Sequence, residues 1–139
     1  MAAAPDGSVY VACDVPVAPP GKWRSRIRMR DPKGRWTTVF DHEGVRVTAL
    51  ATDAFGRLYV DTWRGRRVEI RDLDGKWYEL SHGGSPGHPE LSDSLAALYG
   101  VAVDRRGTVC LALDFPPRVL RWTPQLTTKA ARVVTETKK

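Results

Sequence analysis

The sequence contains no asparagine, two cysteines and three histidines in 139 residues. No apolar run approaches the roughly 18–20 residues that a membrane-spanning helix needs, so we expect no membrane insertion. Residues 1–6 carry neither a basic start nor a long apolar stretch, so no secretory signal peptide is expected. Because Cys13 and Cys110 provide no disulfide framework, the cytoplasm is the default location.

Several catalytic signatures are also missing from the chain. It has no glycine-rich loop that opens a helix to hold phosphate, since the Gly83-Gly84 pair precedes Pro86 and opens no helix. The two cysteines lack histidines at a zinc-ligand spacing, and no His-x-x-x-His pair occurs. These absences argue against the enzyme and zinc-binding classes that such motifs identify, and no cofactor is predicted.

The net charge is the first positive feature. The chain has 22 Lys and Arg against 16 Asp and Glu, for a net charge of +6 and a pI near 9.7. This charge favours an anionic partner, such as nucleic acid or an acidic protein. The alternative is a basic surface without a specific partner, because a moderate net charge alone is weak evidence.

A seven-residue cassette occurs three times and determines the predicted fold. Its copies are 6–12 (Asp-Gly-Ser-Val-Tyr-Val-Ala), 55–61 (Phe-Gly-Arg-Leu-Tyr-Val-Asp) and 106–112 (Arg-Gly-Thr-Val-Cys-Leu-Ala). Their glycines, Gly7, Gly56 and Gly107, are 49 and 51 residues apart. A period near 50 that is built from strands and tight turns is typical of blade-like β-repeats.

The second repeat shows the full pattern of one blade. Alternating or apolar segments at 47–53, 58–61, 67–71 and 77–80 predict four strands, joined by turns at Gly56, residues 62–66 and Gly75. By the same pattern, blade one covers about 1–40, blade two about 46–81 and blade three about 98–136, with a long connecting loop at 82–97. The first repeat lacks most of its first strand.

The cassette with its following strand and Asp-Gly turn resembles the NHL-type β-propeller repeat, and also the regucalcin–gluconolactonase and streptogramin B lyase groups. The resemblance rests on 6–12, on 53–61 with 68–75, and on 104–112, and WD-repeat signatures are absent. It implies an all-β propeller of four-stranded antiparallel blades. Because three blades do not close a ring, we expect a homodimer with six blades. The alternative is a fragment, or a different protein that supplies the other blades.

Two groups of basic residues are candidate sites for an anionic partner. In the predicted third strand of blade one, every second residue is an arginine, so the four arginines share one face. The second group is a loop with a tryptophan between basic residues, which suits base stacking or an anionic ligand. The alternatives are arginine stems lying on an outer strand and a tryptophan that packs between blades. The candidates are Arg24, Arg26, Arg28, Arg30, Trp63, Arg64, Arg66 and Arg67.

Polar residues in the connections between blades are candidates for a channel mouth. Equivalent inter-blade loops open on one face of a propeller, so His42, His82 and His88 are expected near one another, with Asp14 and Asp114 after the second strands. A metal site is conceivable there, and the alternative is that these are ordinary exposed loop histidines. A regucalcin-like site would need an asparagine, which this chain lacks.

The sequence therefore predicts a non-enzymatic propeller that acts as a binding or assembly scaffold through its channel mouth or basic edge. The competing hypothesis is a small metal-dependent hydrolase or lyase with its site at the channel mouth. Only this second hypothesis requires a divalent metal. Fold alone does not decide between them, because propellers host both binders and enzymes.

Overall fold

In the computed structural model, the described residues are 1–18, 22–62, 67–81, 98–113, 118–127 and 130–138. They form only β-strands and turns. The strands are β1 (Ala2–Ala3), β2 (Val9–Val17), β3 (Lys22–Arg30), β4 (Trp36–Glu43), β5 (Val47–Thr52), β6 (Leu58–Thr62), β7 (Arg67–Arg71), β8 (Trp77–Ser81), β9 (Leu98–Val103), β10 (Val109–Leu113), β11 (Arg118–Thr127) and β12 (Ala130–Lys138).

These strands form three four-stranded antiparallel sheets in strict chain order: the first sheet is β1–β4, the second β5–β8 and the third β9–β12. The hairpin turns are built alike. Gly56 adopts a φ of +93°, which glycine tolerates without strain, and its amide donates to the Asp53 carbonyl at 3.1 Å. Because each connection is a hairpin, all such turns lie at one end of the sheets, here called the turn end, and the longer connections lie at the opposite loop end.

The first strands of the sheets lie next to one another. β5 packs against β1 on one side and β9 on the other. The hydroxyl of Thr52 donates to the Ala3 carbonyl at 2.6 Å, which joins the second sheet to the first. β1 has two residues, in agreement with the prediction that the first repeat lacks most of this strand.

The core consists of two layers between successive sheets. Tyr10, Ile27 and Phe40 of the first sheet pack against Leu58 and Val60 of the second. On the opposite face of the second sheet, Tyr59, Val68 and Ile70 are fully buried, and Val109 and Leu111 of the third sheet are also fully buried. Each such side chain contributes roughly 1.5–3 kcal/mol of transfer free energy.

Several strands are longer than their patterns predict. The segment 15–21 reads as a loop, but β2 continues to Val17 by pairing with the start of β3. Pro16 is tolerated because β1 pairs with β2 only at Val9 and Tyr10, so β2 needs no further amide donors on that side. β12 covers Ala130–Lys138, whereas the pattern predicts a strand at 131–135.

Within the described residues, no helix has the length and apolarity that crossing a membrane requires.

Candidate functional site

Three polar residues form a row across the first sheet near the loop end. Asp14 on β2 pairs with Ser25 on β3, and Ser25 pairs with His42 on β4. Residues at paired positions share one face of a sheet, and this face packs against the second sheet. The sequence predicts Asp14 after its strand and His42 in an inter-blade loop, both at the channel mouth, but they lie inside β2 and β4, because these strands run further than their patterns indicate.

Ser25 links the two sheets by hydrogen bonds. Its side chain is fully buried, and its hydroxyl donates to a carboxylate oxygen of Asp14. The same hydroxyl accepts the backbone amide of Val47, the first residue of β5, at 3.0 Å. The other Asp14 oxygen accepts Nε of Arg46 at 3.1 Å. The Ser25 hydroxyl is thus engaged as donor and acceptor, which suits a structural link and not a nucleophile.

His42 does not join this network through any described hydrogen bond. Its ring lies against Phe40, with 4.4 Å between the ring centroids, and the residue is exposed. Among the described residues, no three His, Cys, Asp or Glu side chains come together as a possible metal site. Three other predicted mouth residues, His82, His88 and Asp114, lie outside the described residues.

A buried carboxylate in the second sheet was missed by the sequence reasoning. Asp61 on β6 is fully buried, and its Oδ2 accepts the hydroxyl of Thr48 on β5. Its Oδ1 has no hydrogen-bond partner. Burial raises the pKa of this carboxyl to about 6, and the hydrogen bonds from Thr48 and the Thr62 backbone lower it in part. The signal was present, because Asp61 stands where the other cassettes have Ala12 and Ala112.

The arginine row of β3 lies on the outer face of the first sheet, opposite the core. Nε of Arg24 and Nη2 of Arg26 each lie 3.0 Å from an oxygen of Asp41 on β4. The guanidinium of Arg28 lies over the Trp36 ring, 5.1 Å from its centroid, and Arg30 reaches back over the Gly34 turn. Two of the four charges therefore share one carboxylate, and the other two have no carboxylate among the described ion pairs.

The second basic group is mostly outside the described residues. Trp63, Arg64 and Arg66 are not described, and Arg67 is described only by its backbone, as the first residue of β7. The binding roles assigned to both basic groups stay predictions.

The two free cysteines lie in different sheets. Cys13 is exposed on the same face of the first sheet as the arginine row, and Cys110 is half-buried on β10 of the third sheet.

No protein-family model matches the sequence, and no curated protein matches it. Among solved structures, the chain is similar to virginiamycin B lyase from Staphylococcus aureus, a β-propeller protein crystallised as a catalytically inactive His-to-Ala variant with quinupristin. The TM-score is 0.53 at 16% identity, over 92% of this chain and 45% of that one. The likeness shows a β-propeller fold, and this chain spans less than half of that protein's length.

Removing the Ser25 hydroxyl tests the link between the first two sheets. The variant Ser25→Ala leaves the Val47 amide and the Asp14 carboxylate without their buried partner. We expect the free energy of unfolding to fall by about 1–3 kcal/mol in urea denaturation. The exposed Thr37→Ala on β4 is the control and should change stability by less than about 0.5 kcal/mol. Equal effects for the two variants would contradict the structural role of Ser25.

Neutralising Asp61 tests its burial. Because its pKa rises from 3.8 to about 6 on folding, the folded protein holds this proton more tightly than the unfolded chain. Its contribution to stability therefore decreases as the pH rises from about 4 through 6. We expect Asp61→Asn to raise the free energy of unfolding at pH 7.5 by roughly 3 kcal/mol and to flatten its dependence on pH. The exposed Asp74→Asn is the control, and an unchanged pH slope in Asp61→Asn would refute the assignment.

Proposed function

We propose that this chain is a non-enzymatic binding and assembly scaffold: a propeller segment of the NHL or regucalcin type whose two end sheets are covered by further propeller sheets. We propose a second copy of the chain as the partner that supplies them. The support comes from comparing the same positions in successive sheets, because the chain repeats one structural unit and only the second sheet is covered on both sides.

The outer face of the first sheet, here called the first end face, bears Val9, Val11, Arg28 and Trp36. One repeat later, Val9 and Val11 correspond to Leu58 and Val60, which the first sheet buries completely. Trp36 corresponds to Trp77, which packs into the core, yet Trp36 is 46% exposed. The repeat thus places an apolar surface on the first end face that is buried wherever a preceding sheet is present. This is the observation that carries the proposal.

The outer face of the third sheet, the second end face, shows the same relation. Ala112 and Val119 pair with each other across β10 and β11 and are exposed. They correspond to Asp61 and Val68 of the second sheet, which are fully buried by the third sheet. A two-fold axis along the ring would place the second end face of one copy on the first end face of the other, twice. Two identical junctions would then close a six-sheet ring.

The arginine row lies on the first end face, so ring closure and binding of an anionic partner compete for one surface. Arg30, Arg28 and Arg26 pair across the strands with Val9, Val11 and Cys13. On the second end face, Arg121 pairs with Cys110, and the carboxylate of Asp104 lies within electrostatic reach of Arg121. Because this face carries charges of both signs, salt should change the stability of the dimer little. An anionic partner would instead be weakened by salt.

The alternative, a metal-dependent hydrolase or lyase, depends on Asp14 and His42 in the described part of the chain. Both oxygens of Asp14 already accept hydrogen bonds, from Ser25 and Arg46. A divalent ion at Asp14 would have to displace at least one of them. Virginiamycin B lyase is an enzyme, but structural similarity at 16% identity does not assign its activity to this chain. The scaffold is therefore the function that the geometry favours.

The experiment is the solution mass by light scattering across a dilution series and at two salt concentrations. We expect a species of twice the 15.5 kDa chain mass whose stability changes little with salt. Val11→Asp puts a charge in the middle of the first end face and should give a folded monomer. The control is Ala54→Asp, an exposed change at the turn end, which should remain dimeric. A well-folded wild-type monomer at all concentrations would overturn the second copy as partner.

The exposed thiol of Cys13 reports on the same face. It lies beside the arginine row, so a covered first end face should slow its reaction with a maleimide or disulfide reagent. We expect protection at high protein concentration that is lost in Val11→Asp, with Cys13→Ser to assign the signal. A thiol that reacts equally fast at every concentration would show that the face stays open.

A further inference from the structure

A cleft of about 440 Å³ lies at the turn end between the first and second sheets. Its inner wall is formed by Tyr10, Met29 and Arg71, and its rim includes Lys33, Phe55 and Leu73. This volume is in the range of small-molecule sites. The cleft is at the opposite end from the predicted channel mouth, and it is separate from both end faces.

The cleft has an equivalent place between the second and third sheets, and there side chains fill it. There, the carboxylate of Asp53 accepts the Tyr59 hydroxyl at 3.0 Å and also Nε of Arg57. Asp53 is 3% exposed, and the Arg57 guanidinium extends to the Gly107 turn of the third sheet. A carboxylate held between a tyrosine hydroxyl and a guanidinium thus occupies this junction.

The first junction lacks that carboxylate. One repeat earlier, Asp53 corresponds to Ala4, Arg57 to Ser8 and Tyr59 to Tyr10. The tyrosine is retained and is 4% exposed, but alanine and serine replace the two charged residues. The guanidinium beside the Tyr10 hydroxyl comes instead from Arg71 of the second sheet.

Both polar groups of the inner wall are available to an anion. Among the described side chains, no carboxylate lies within ion-pair distance of the half-buried Arg71. Burial raises the pKa of Tyr10 and Arg71 lowers it in part, so the hydroxyl is protonated at neutral pH and can donate. Three aspartates also line the cleft, but each accepts a backbone amide of its own turn: Asp6 that of Ser8, Asp31 that of Arg35 and Asp72 that of Leu73.

The rim beside these groups is apolar, and at one of its positions the other two cassettes are polar. Phe55 and Leu73 are 64% and 67% exposed. They flank Gly56, at which an added Cβ would lie 3.5 Å from a Leu73 methyl group. Phe55 corresponds to Asp6 and Arg106 in the other cassettes, so this apolar surface is particular to the second sheet. It would bury the apolar body of a ligand.

We propose that this cleft binds a small carboxylate with an aromatic or branched apolar body. The ligand carboxylate lies between the Tyr10 hydroxyl and the Arg71 guanidinium, as the Asp53 carboxylate lies between Tyr59 and Arg57. Both contacts are charge-assisted hydrogen bonds, and the apolar body rests on Phe55 and Leu73.

The test is a titration of the full chain with phenylacetate, followed by calorimetry and by chemical shifts of the Phe55 and Gly56 amides. Phenylacetamide has the same body without the charge and should bind at least tenfold more weakly. Tyr10→Phe and Arg71→Gln should each weaken phenylacetate binding about tenfold. The control is Arg30→Gln, because Arg30 is the repeat equivalent of Arg71 and lies outside the cleft. A peptide with a C-terminal Phe carboxylate is compared with the same peptide amidated at its C-terminus, which shows whether peptide C-termini also bind.

A second variant keeps the test decisive if single substitutions disturb folding. Ala4→Asp combined with Ser8→Arg rebuilds the filled junction of the second and third sheets inside the cleft. We expect this double variant to remain folded by circular dichroism and to lose phenylacetate binding. Equal binding of acid and amide, or binding that survives both Arg71→Gln and the double variant, would overturn the proposal.

Discussion

The fold depends on the burial of both faces of the second sheet. Buried apolar side chains lie on both of its faces: Leu58 and Val60 pack towards the first sheet, while Tyr59, Val68 and Ile70 are buried on the other side. A single four-stranded sheet of five- and six-residue strands is too small to form a stable core of its own. The first and third sheets are therefore necessary to the second, and each of them in turn keeps one face that the same repeat makes apolar.

Polar contacts fix how the sheets meet, and they concentrate on β5. The Thr52 hydroxyl donates to the Ala3 carbonyl, and the Val47 amide donates to the Ser25 hydroxyl. Hydrophobic burial alone permits two sheets to slide, because it has little directionality. Two hydrogen bonds at opposite ends of one short strand remove that freedom between the first and second sheets. The Thr48–Asp61 contact stays within the second sheet, and one buried oxygen of Asp61 gains no partner.

The strands and turns could be predicted because both depend on local sequence. Strands show apolar residues at every second position, and tight turns contain a glycine with positive φ, as at Gly56 and Gly75. The alternation of Arg24 to Arg30 likewise placed the four arginines on one face. Local pattern could not show that this face is the end of the stack, since that depends on which sheet lies beyond it. Ser25 was missed for the same reason: its partners, Asp14 and Val47, belong to two other strands.

Departures from the repeat carry more information than the repeat itself. Where all copies agree, as in the apolar positions of β2, β6 and β10, the residues build the sheet stack. Where one copy differs, the physical consequence is local: Ala4 and Ser8 leave a cleft that Asp53 and Arg57 fill in the next junction. Trp36 is exposed although Trp77 is packed, because its sheet has no predecessor among the described residues. In a protein built from repeats, an open cleft or an uncovered face can therefore be recognised by comparison with the equivalent place in another repeat, where side chains or a neighbouring sheet fill it.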